Sequence, residues 1–251
     1  MAVYMFNKPQ GFITSCRDPR DRTVMEFVPE DLREKIHPVG RLDRDTTGLL
    51  LFTDDGRVDR ALLVPENRVP RVYSFTAIGV MNDEKIAKVS RGVRLGDSGE
   101  TSRGASLRVT KLHTVYEIRD LLPPRRRMRY LKNPKGPAFS AEMELTEGRK
   151  HEVKLIMRAV DCRVVRLERI SFGGLQLDPG LPTGGFRELT EEEYRLLQRL
   201  MEDVSDARLL EVATERMARF DESDAVPEAN VLDELGISAD EISDSGDVDI
   251  D

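Results

Sequence analysis

The chain has 251 residues, of which 39% are hydrophobic and 34% charged, and its formal net charge is -7. Residues 1–200 hold 36 basic and 29 acidic side chains, whereas residues 201–251 hold 3 basic and 17 acidic ones, so a basic body precedes an acidic end. No apolar run approaches the roughly 20 residues of a membrane-spanning helix, and two distant cysteines with three histidines exclude a disulfide framework and a metal-binding repeat.

The body alternates irregularly between predicted strands and helices. In chain order, the pattern predicts a strand at 3–6, extended structure at 12–15, a capped helical turn at 23–28, a buried strand or helix segment at 49–53, a helix at 56–63, a strand at 72–79, a helix at 82–91, two strands within 105–119, a loop at 123–137, a strand at 139–145, a helix at 151–160, a strand at 163–172 and a helix at 190–201. Mixed elements without regular βα repetition are typical of an α+β domain.

The organisation follows from the change in composition near residue 200. We expect residues 1–200 to form the functional domain and residues 201–251 to form an acidic tail. A short helix is predicted at 204–220, and beyond it the acidic and small residues predict disorder. The cysteine usage and the lack of an apolar span predict a soluble, cytoplasmic protein with no membrane partner.

The segment with the most chemical information is 40–53, where Asp43 lies between an arginine-bearing loop and a run of apolar residues. A carboxylate at the edge of an apolar core is a common arrangement for a reactive group. Alternatively, Asp43, or Asp45 with Thr46 and Thr47, caps the element that follows. The residues of this segment alone leave both interpretations open.

Four segments together resemble a known family. Residues 7–11, 40–53, 71–73 and 147–154 match, in order, the motifs of the pseudouridine synthases that modify small- and large-subunit ribosomal RNA, the RsuA-like family. The similarity runs from about residue 3 to residue 189, and Glu152 departs from it, since the family usually has Gln there. The first strand begins at once, so we expect a form that lacks the small N-terminal RNA-binding module of many relatives.

The resemblance implies a fold and an activity. The fold would be the pseudouridine synthase fold, an α+β domain with a mixed, mostly antiparallel sheet, flanking helices and a central cleft, formed by residues 1–200. The activity would be isomerisation of a specific uridine to pseudouridine in ribosomal RNA, with a large-subunit target expected. An aspartate would carry the reaction without cofactor or metal, and we expect a monomer whose partner is ribosomal RNA.

The resemblance also assigns the catalytic residues. Asp43 would act on the ribose as nucleophile or as base, and Lys154 would be the cation beside it, because a carboxylate in a dry cleft stays charged only near a positive group. Tyr73 would stack on the uracil and assist proton removal from its ring carbon. Lys8 would shape the fold near the cleft, and Gly48 would let the backbone pass close beside Asp43.

Basic side chains are the candidates for contacts with RNA, since they displace the counterions of phosphates. Arg41 would fill the gap left by the everted base, because the enzyme must extrude its target nucleotide. The remaining candidates lie in the predicted loop 123–137 or in the last motif: Arg125, Arg126, Arg127, Arg129, Lys132, Arg149 and Lys150.

Two other classes of protein are compatible with parts of this pattern. A non-catalytic RNA-binding protein of the same fold would have little reason to hold Asp43, Tyr73 and Lys154 together. A metal-dependent phosphodiesterase would need Asp43, Asp45 and Asp54 to converge on one ion.

Overall fold

The computed structural model describes residues 1–96 and 99–219. Within these residues the strands are β1 (Val3–Lys8), β2 (His37–Val39), β3 (Thr47–Thr53), β4 (Arg71–Ile78), β5 (Ser106–Thr114), β6 (Pro137–Leu145), β7 (Arg163–Phe172), β8 (Leu175–Gln176) and β9 (Phe186–Glu188). The α-helices are α1 (Gly56–Leu63), α2 (Asp83–Arg91), α3 (Arg127–Tyr130), α4 (Glu152–Ala159) and α5 (Glu191–Arg219). No helix in this part of the chain combines the length and hydropathy needed to cross a membrane.

All of these strands belong to one sheet with the order β5-β6-β4-β7-β3-β1-β9, to which β2 adds beside β3 and β8 beside β7. Every neighbouring pair is antiparallel except β3 and β7, which run parallel over a short contact. The predicted α+β domain with a mixed, mostly antiparallel sheet and flanking helices is therefore confirmed.

The apolar core lies in separate clusters along the sheet. Helices α2 and α4 cover β4 and β6, where Val153 and Ile156 pack with Phe75 and Phe139. Helix α1 and the start of α5 pack on β1 and β3 in a second cluster. Because both faces of β3 are covered, its run of apolar residues is fully buried, and this run, which the sequence left open between strand and helix, is a strand.

Gly48 occupies the point where β3 meets β7. Its φ angle is +96°, and a Cβ atom there would lie 2.3 Å from the carbonyl oxygen of Arg169. Only glycine tolerates both that backbone conformation and that approach. The sequence predicts a close approach here, but the neighbour is the β7 backbone rather than Asp43.

Several element boundaries differ from the predicted ones. Residues 105–119 contain one strand, β5, instead of two, and the expected loop 123–137 contains a 3₁₀ turn followed by α3. Strands β2, β8 and β9 were not predicted, because strands of two or three residues depend on their partner strands rather than on a pattern of their own.

The end of the described chain is one continuous helix. Helix α5 replaces the two helices predicted at 190–201 and 204–220, since the acidic residues between them are compatible with a helix interior. Residues Met1–Ser205 form one compact unit. The expected boundary at residue 200 stays a prediction, and the part of the acidic tail from residue 220 onward lies outside the described residues.

Candidate active site

A cavity of about 600 Å³ opens beside β4 and β7, next to the loop that precedes β3. This volume falls within the range of pockets that hold small organic ligands. Its walls include several residues of the motif segments: Arg41, Asp43, Tyr73, Arg149, Lys150 and Glu152.

The side chain of Lys8 holds the backbone of the loop that carries Asp43. The ammonium of Lys8 is completely buried and donates hydrogen bonds to the backbone carbonyls of Asp43 (3.1 Å), Thr46 (2.9 Å) and Pro9 (3.1 Å). Burial lowers the pKa of Lys8 to about 8, although the charges of Asp45 and Asp43 act in the opposite direction. Lys8 therefore holds the backbone of the loop beside the cleft, which fits the expectation that it shapes the fold there.

The Asp43 carboxylate faces Lys154 across the cleft. The Nζ atom of Lys154, on α4, lies 2.8 Å from Oδ2 of Asp43 and 2.6 Å from Oδ1 of Asp45. Burial opposes the charge of Lys154, but the hydrogen bonds that it donates to the two aspartates outweigh this effect and raise the pKa of the ammonium. The structure thus brings Asp43 and Lys154 together, and the Asp45 side chain makes this long-range contact rather than the capping contact considered as an alternative.

The sequence prediction missed His151. Its Nε2 atom lies 3.3 Å from Oδ1 of Asp43, so the carboxylate is contacted on both oxygens. His151 precedes α4 in a left-handed conformation with φ of +59°. Residues three apart at a helix start lie on the same side, so the spacing of His151 from Lys154 is the signal that could have identified it.

Tyr73 lies on β4 in the wall of the same cavity. Leu167 of β7 is nearly fully buried and forms an apolar part of this wall. The guanidinium of Arg169 lies close to the Tyr73 hydroxyl, donates to the Leu49 carbonyl (2.8 Å) and stacks on the ring of Phe172. Burial lowers the pKa of Arg169. The phenol ring is therefore held in the wall beside a buried cation.

The loop between β6 and α4 supplies two of the basic candidates. Lys150 is exposed at the rim of the cavity. Arg149 is half-buried and already pairs with Glu147 (3.1 Å) and Glu100 (2.7 Å), so it is less free to bind phosphate than Lys150. Arg41 is exposed and lies in the cavity wall next to Asp43.

The basic residues of the segment between β5 and β6 lie elsewhere. The segment joins the sheet at the end of β4 away from Tyr73, where Ile78 pairs with Ala138. None of the candidate basic side chains in this segment contributes to the cavity wall. Arg127 is half-buried, and the other candidates are exposed: Arg125, Arg126, Arg129 and Lys132. Any contact they make with RNA is therefore outside the cleft.

The carboxylates proposed for a metal ion do not converge. Asp43 and Asp45 precede β3, whereas Asp54 follows it and accepts a hydrogen bond from the backbone N–H of Ala2 (2.8 Å). A seven-residue strand spans roughly 20 Å, so one ion cannot bind all three. Among the described residues there is no group of three side chains arranged to hold a metal.

Comparisons with known proteins identify the family of the chain. The family model described as RNA pseudouridylate synthase matches residues 2–159. A ribosomal small subunit pseudouridine synthase A from Salmonella typhimurium is 35% identical over 190 residues, which cover 76% of this chain and 71% of the relative. An uncharacterized RNA pseudouridine synthase from Bacillus subtilis, YtzG, is 35% identical over 194 residues, which cover 77% and 72%.

A solved structure shows the same arrangement of elements. The crystal structure of a pseudouridylate synthase superposes with a TM-score of 0.64 at 28% identity, covering 78% of this chain and 73% of the other. The fold and the motifs therefore define an RNA-modifying isomerase. The chain belongs to the RNA pseudouridylate synthase family, in its RsuA-like branch.

Proposed function

We propose that this chain isomerises a uridine to pseudouridine in ribosomal RNA, with Asp43 as the catalytic carboxylate and without a cofactor. The observation that supports this best is the pairing of Asp43 with Lys154 at 2.8 Å at the cavity that Tyr73 also lines. These three residues are at least 30 positions apart in the sequence, and each belongs to a different element or loop, so only the folded chain assembles them.

The reaction needs few groups, because product and substrate have the same atoms. The bond between the ribose C1′ and the uracil N1 breaks, the base turns, and C1′ bonds to C5, which then loses its proton while N1 gains one. Asp43 acts on the ribose, either as nucleophile at C1′ or as base, and Lys154 and His151 hold its carboxylate in place. Tyr73 stacks on the base and is the group beside which the C5 proton leaves.

The target base must leave its stack to reach Asp43. Unstacking costs a few kcal/mol, and contacts with the RNA backbone would offset this cost. Arg41, which lies in the cavity wall, would fill the space that the base leaves, and Lys150, which is exposed at the rim, would bind phosphate. The exposed basic residues between β5 and β6 would hold RNA farther from the cleft.

Ribosomal RNA is proposed as the substrate because the Salmonella relative is a ribosomal small subunit enzyme by name. That name favours the small subunit over the large-subunit target that was expected from the sequence. We propose that the chain acts as a monomer in the cytoplasm, where ribosomal RNA is available.

The proposal is tested by mapping pseudouridines chemically in both ribosomal RNAs from cells with and without the gene. We expect one or a few sites to disappear, and the purified chain to restore them on RNA from the deficient cells, also in the presence of a chelator. The Asp43→Asn variant should fold and bind this RNA but restore no site. Full turnover by Asp43→Asn would overturn the catalytic assignment.

The same experiment distinguishes the proposed enzyme from a protein that only binds RNA. A non-catalytic RNA-binding protein would leave every pseudouridine in place when the gene is removed, and the purified chain would bind RNA without changing it.

A further inference from the structure

Two buried glutamates close the loop that carries Arg149, Lys150 and His151. Glu147 follows β6 and is 9% exposed, and Glu152 begins α4 and is 5% exposed. Both carboxyl groups accept hydrogen bonds from Arg149, and each shifts the pKa of the other. The two ends of the loop are thus joined through a pair of acidic side chains.

The hydrogen bonds around this pair leave one oxygen atom without a donor. Glu147 accepts from the backbone N–H of Arg103 (2.9 Å) on one oxygen and from the Arg149 guanidinium (3.1 Å) on the other. Oε2 of Glu152 accepts from the backbone N–H of Arg149 (3.2 Å). Oε1 of Glu152 is buried and has no hydrogen-bond partner among the described groups.

A proton on Glu152 would give its buried Oε1 a hydrogen-bond partner and remove the repulsion between the two carboxylates. Two adjacent carboxylates removed from water repel each other, whereas one shared proton converts the repulsion into a hydrogen bond. Both oxygens of Glu147 already have donors, so the proton belongs on Glu152, whose Oε1 can then donate to Glu147.

Charged groups around the pair both raise and lower the pKa of Glu152. Burial, together with the hydrogen bond and the charge of Glu147, raises the pKa of Glu152 to about 7, although the backbone hydrogen bond and the charge of Arg149 act in the opposite direction. Arg71 on β4 faces the pair and donates to the backbone carbonyl of Glu147 (2.9 Å). Arg103 pairs with Glu147 at 3.6 Å. The arginines hold Glu147 ionised, and the proton stays with the more deeply buried Glu152.

We propose that Glu152 is a positioning residue that works as a protonated acid, donating to Glu147 and so holding His151 and Lys154 against Asp43. The catalytic part of this inference rests on the proposed function. The family usually has Gln at this position, and an amide N–H can donate in the same way without titrating. Glutamate makes the same clamp sensitive to pH, because loss of its proton restores the repulsion between the loop ends.

The test compares the pH dependence of single-turnover isomerisation in the wild type and in Glu152→Gln. We expect the wild-type rate to fall with a midpoint near the Glu152 pKa of about 7, and the variant to stay active until Lys8, with a pKa of about 8, loses its proton. One pH unit above its pKa a group retains its proton in about one molecule of eleven, so at pH 8 the variant should be about tenfold faster. Glu144→Gln, an exposed change on β6, should follow the wild-type profile.

A second measurement needs no RNA. A carboxyl group whose pKa is raised from 4.5 to about 7 by folding stabilises the protein fully below pH 4.5, and this stabilisation is lost as the pH rises through about 7. The melting temperature of Glu152→Gln relative to wild type should therefore increase between pH 5.5 and 8. The Glu144→Gln difference should stay constant.

The outcomes are distinct. Parallel rate profiles for wild type and Glu152→Gln, or a folded Glu152→Gln that is inactive at every pH, would overturn the inference. A constant melting-temperature difference would show that the two glutamates share no proton. If no RNA is isomerised while the melting-temperature difference grows with pH, the acid pair stands and the proposed function fails.

Discussion

The contacts of Lys154 allow distance and burial to be weighed against each other. Its ammonium lies 2.6 Å from Asp45 and 2.8 Å from Asp43, but the Asp45 side chain is 60% exposed and the Asp43 side chain 25%. At 2.8 Å the Coulomb energy of two unit charges is about 6 kcal/mol at an effective dielectric constant of about 20 and about 1.5 kcal/mol in water. The difference in exposure therefore outweighs a difference of 0.2 Å in distance.

We expect the coupling energy of Lys154 with Asp43 to be about 1–2 kcal/mol, between the values of exposed and buried pairs. The coupling energy with Asp45 should be below about 1 kcal/mol. Two double-mutant cycles measure these values from urea unfolding, one with Lys154→Met and Asp43→Asn, the other with Lys154→Met and Asp45→Asn. Lys154→Arg, which keeps the charge, serves as the control.

The relative size of the two coupling energies shows whether burial or distance controls the strength of these ion pairs. A coupling with Asp45 that equals or exceeds the coupling with Asp43 would show that burial does not control the strength of this pair. Activity gives a second criterion, because Asp43→Asn should abolish isomerisation whereas Asp45→Asn should retain most of it. Equal losses would contradict the assignment of Asp43 as the reacting carboxylate.

Other contacts give further predictions. Lys8→Met should lower turnover about 100-fold by releasing the loop beneath the catalytic carboxylate, while RNA affinity in a filter-binding assay stays unchanged; an unchanged rate would refute this. Gly48→Ala should destabilise the fold by about 3 kcal/mol or more in thermal unfolding, whereas Gly56→Ala, which has open space around it, should stay within about 1 kcal/mol of wild type. Arg125→Glu with Arg126→Glu should weaken RNA binding. The slope of log affinity against log salt concentration should become shallower by about one for each phosphate contact that is lost, and an identical slope would show that this segment does not touch RNA.

The sequence predicted the elements whose burial follows a regular period. Helix α1 begins and ends within a residue of its predicted bounds, because Asp55 caps its first turn and Pro65 follows its end. The alternation in β4 and β6 likewise reflects the two faces of a sheet. The short strands and the continuous α5 were missed, since neighbouring residues do not encode them strongly.

The same division applies to the site. The motifs identified Asp43, Tyr73 and Lys154, because a motif consists of residue types in a given order, and both can be read directly from the sequence. The joining of Asp45 and His151 to the pair of Asp43 and Lys154 depended on how α4 packs against the sheet. The separation of the basic segment from the cleft depended on how β6 pairs with β4. Periodicity specifies which face of an element is buried, but a contact between residues 111 positions apart is set by packing of whole elements, and only the folded chain contains that information.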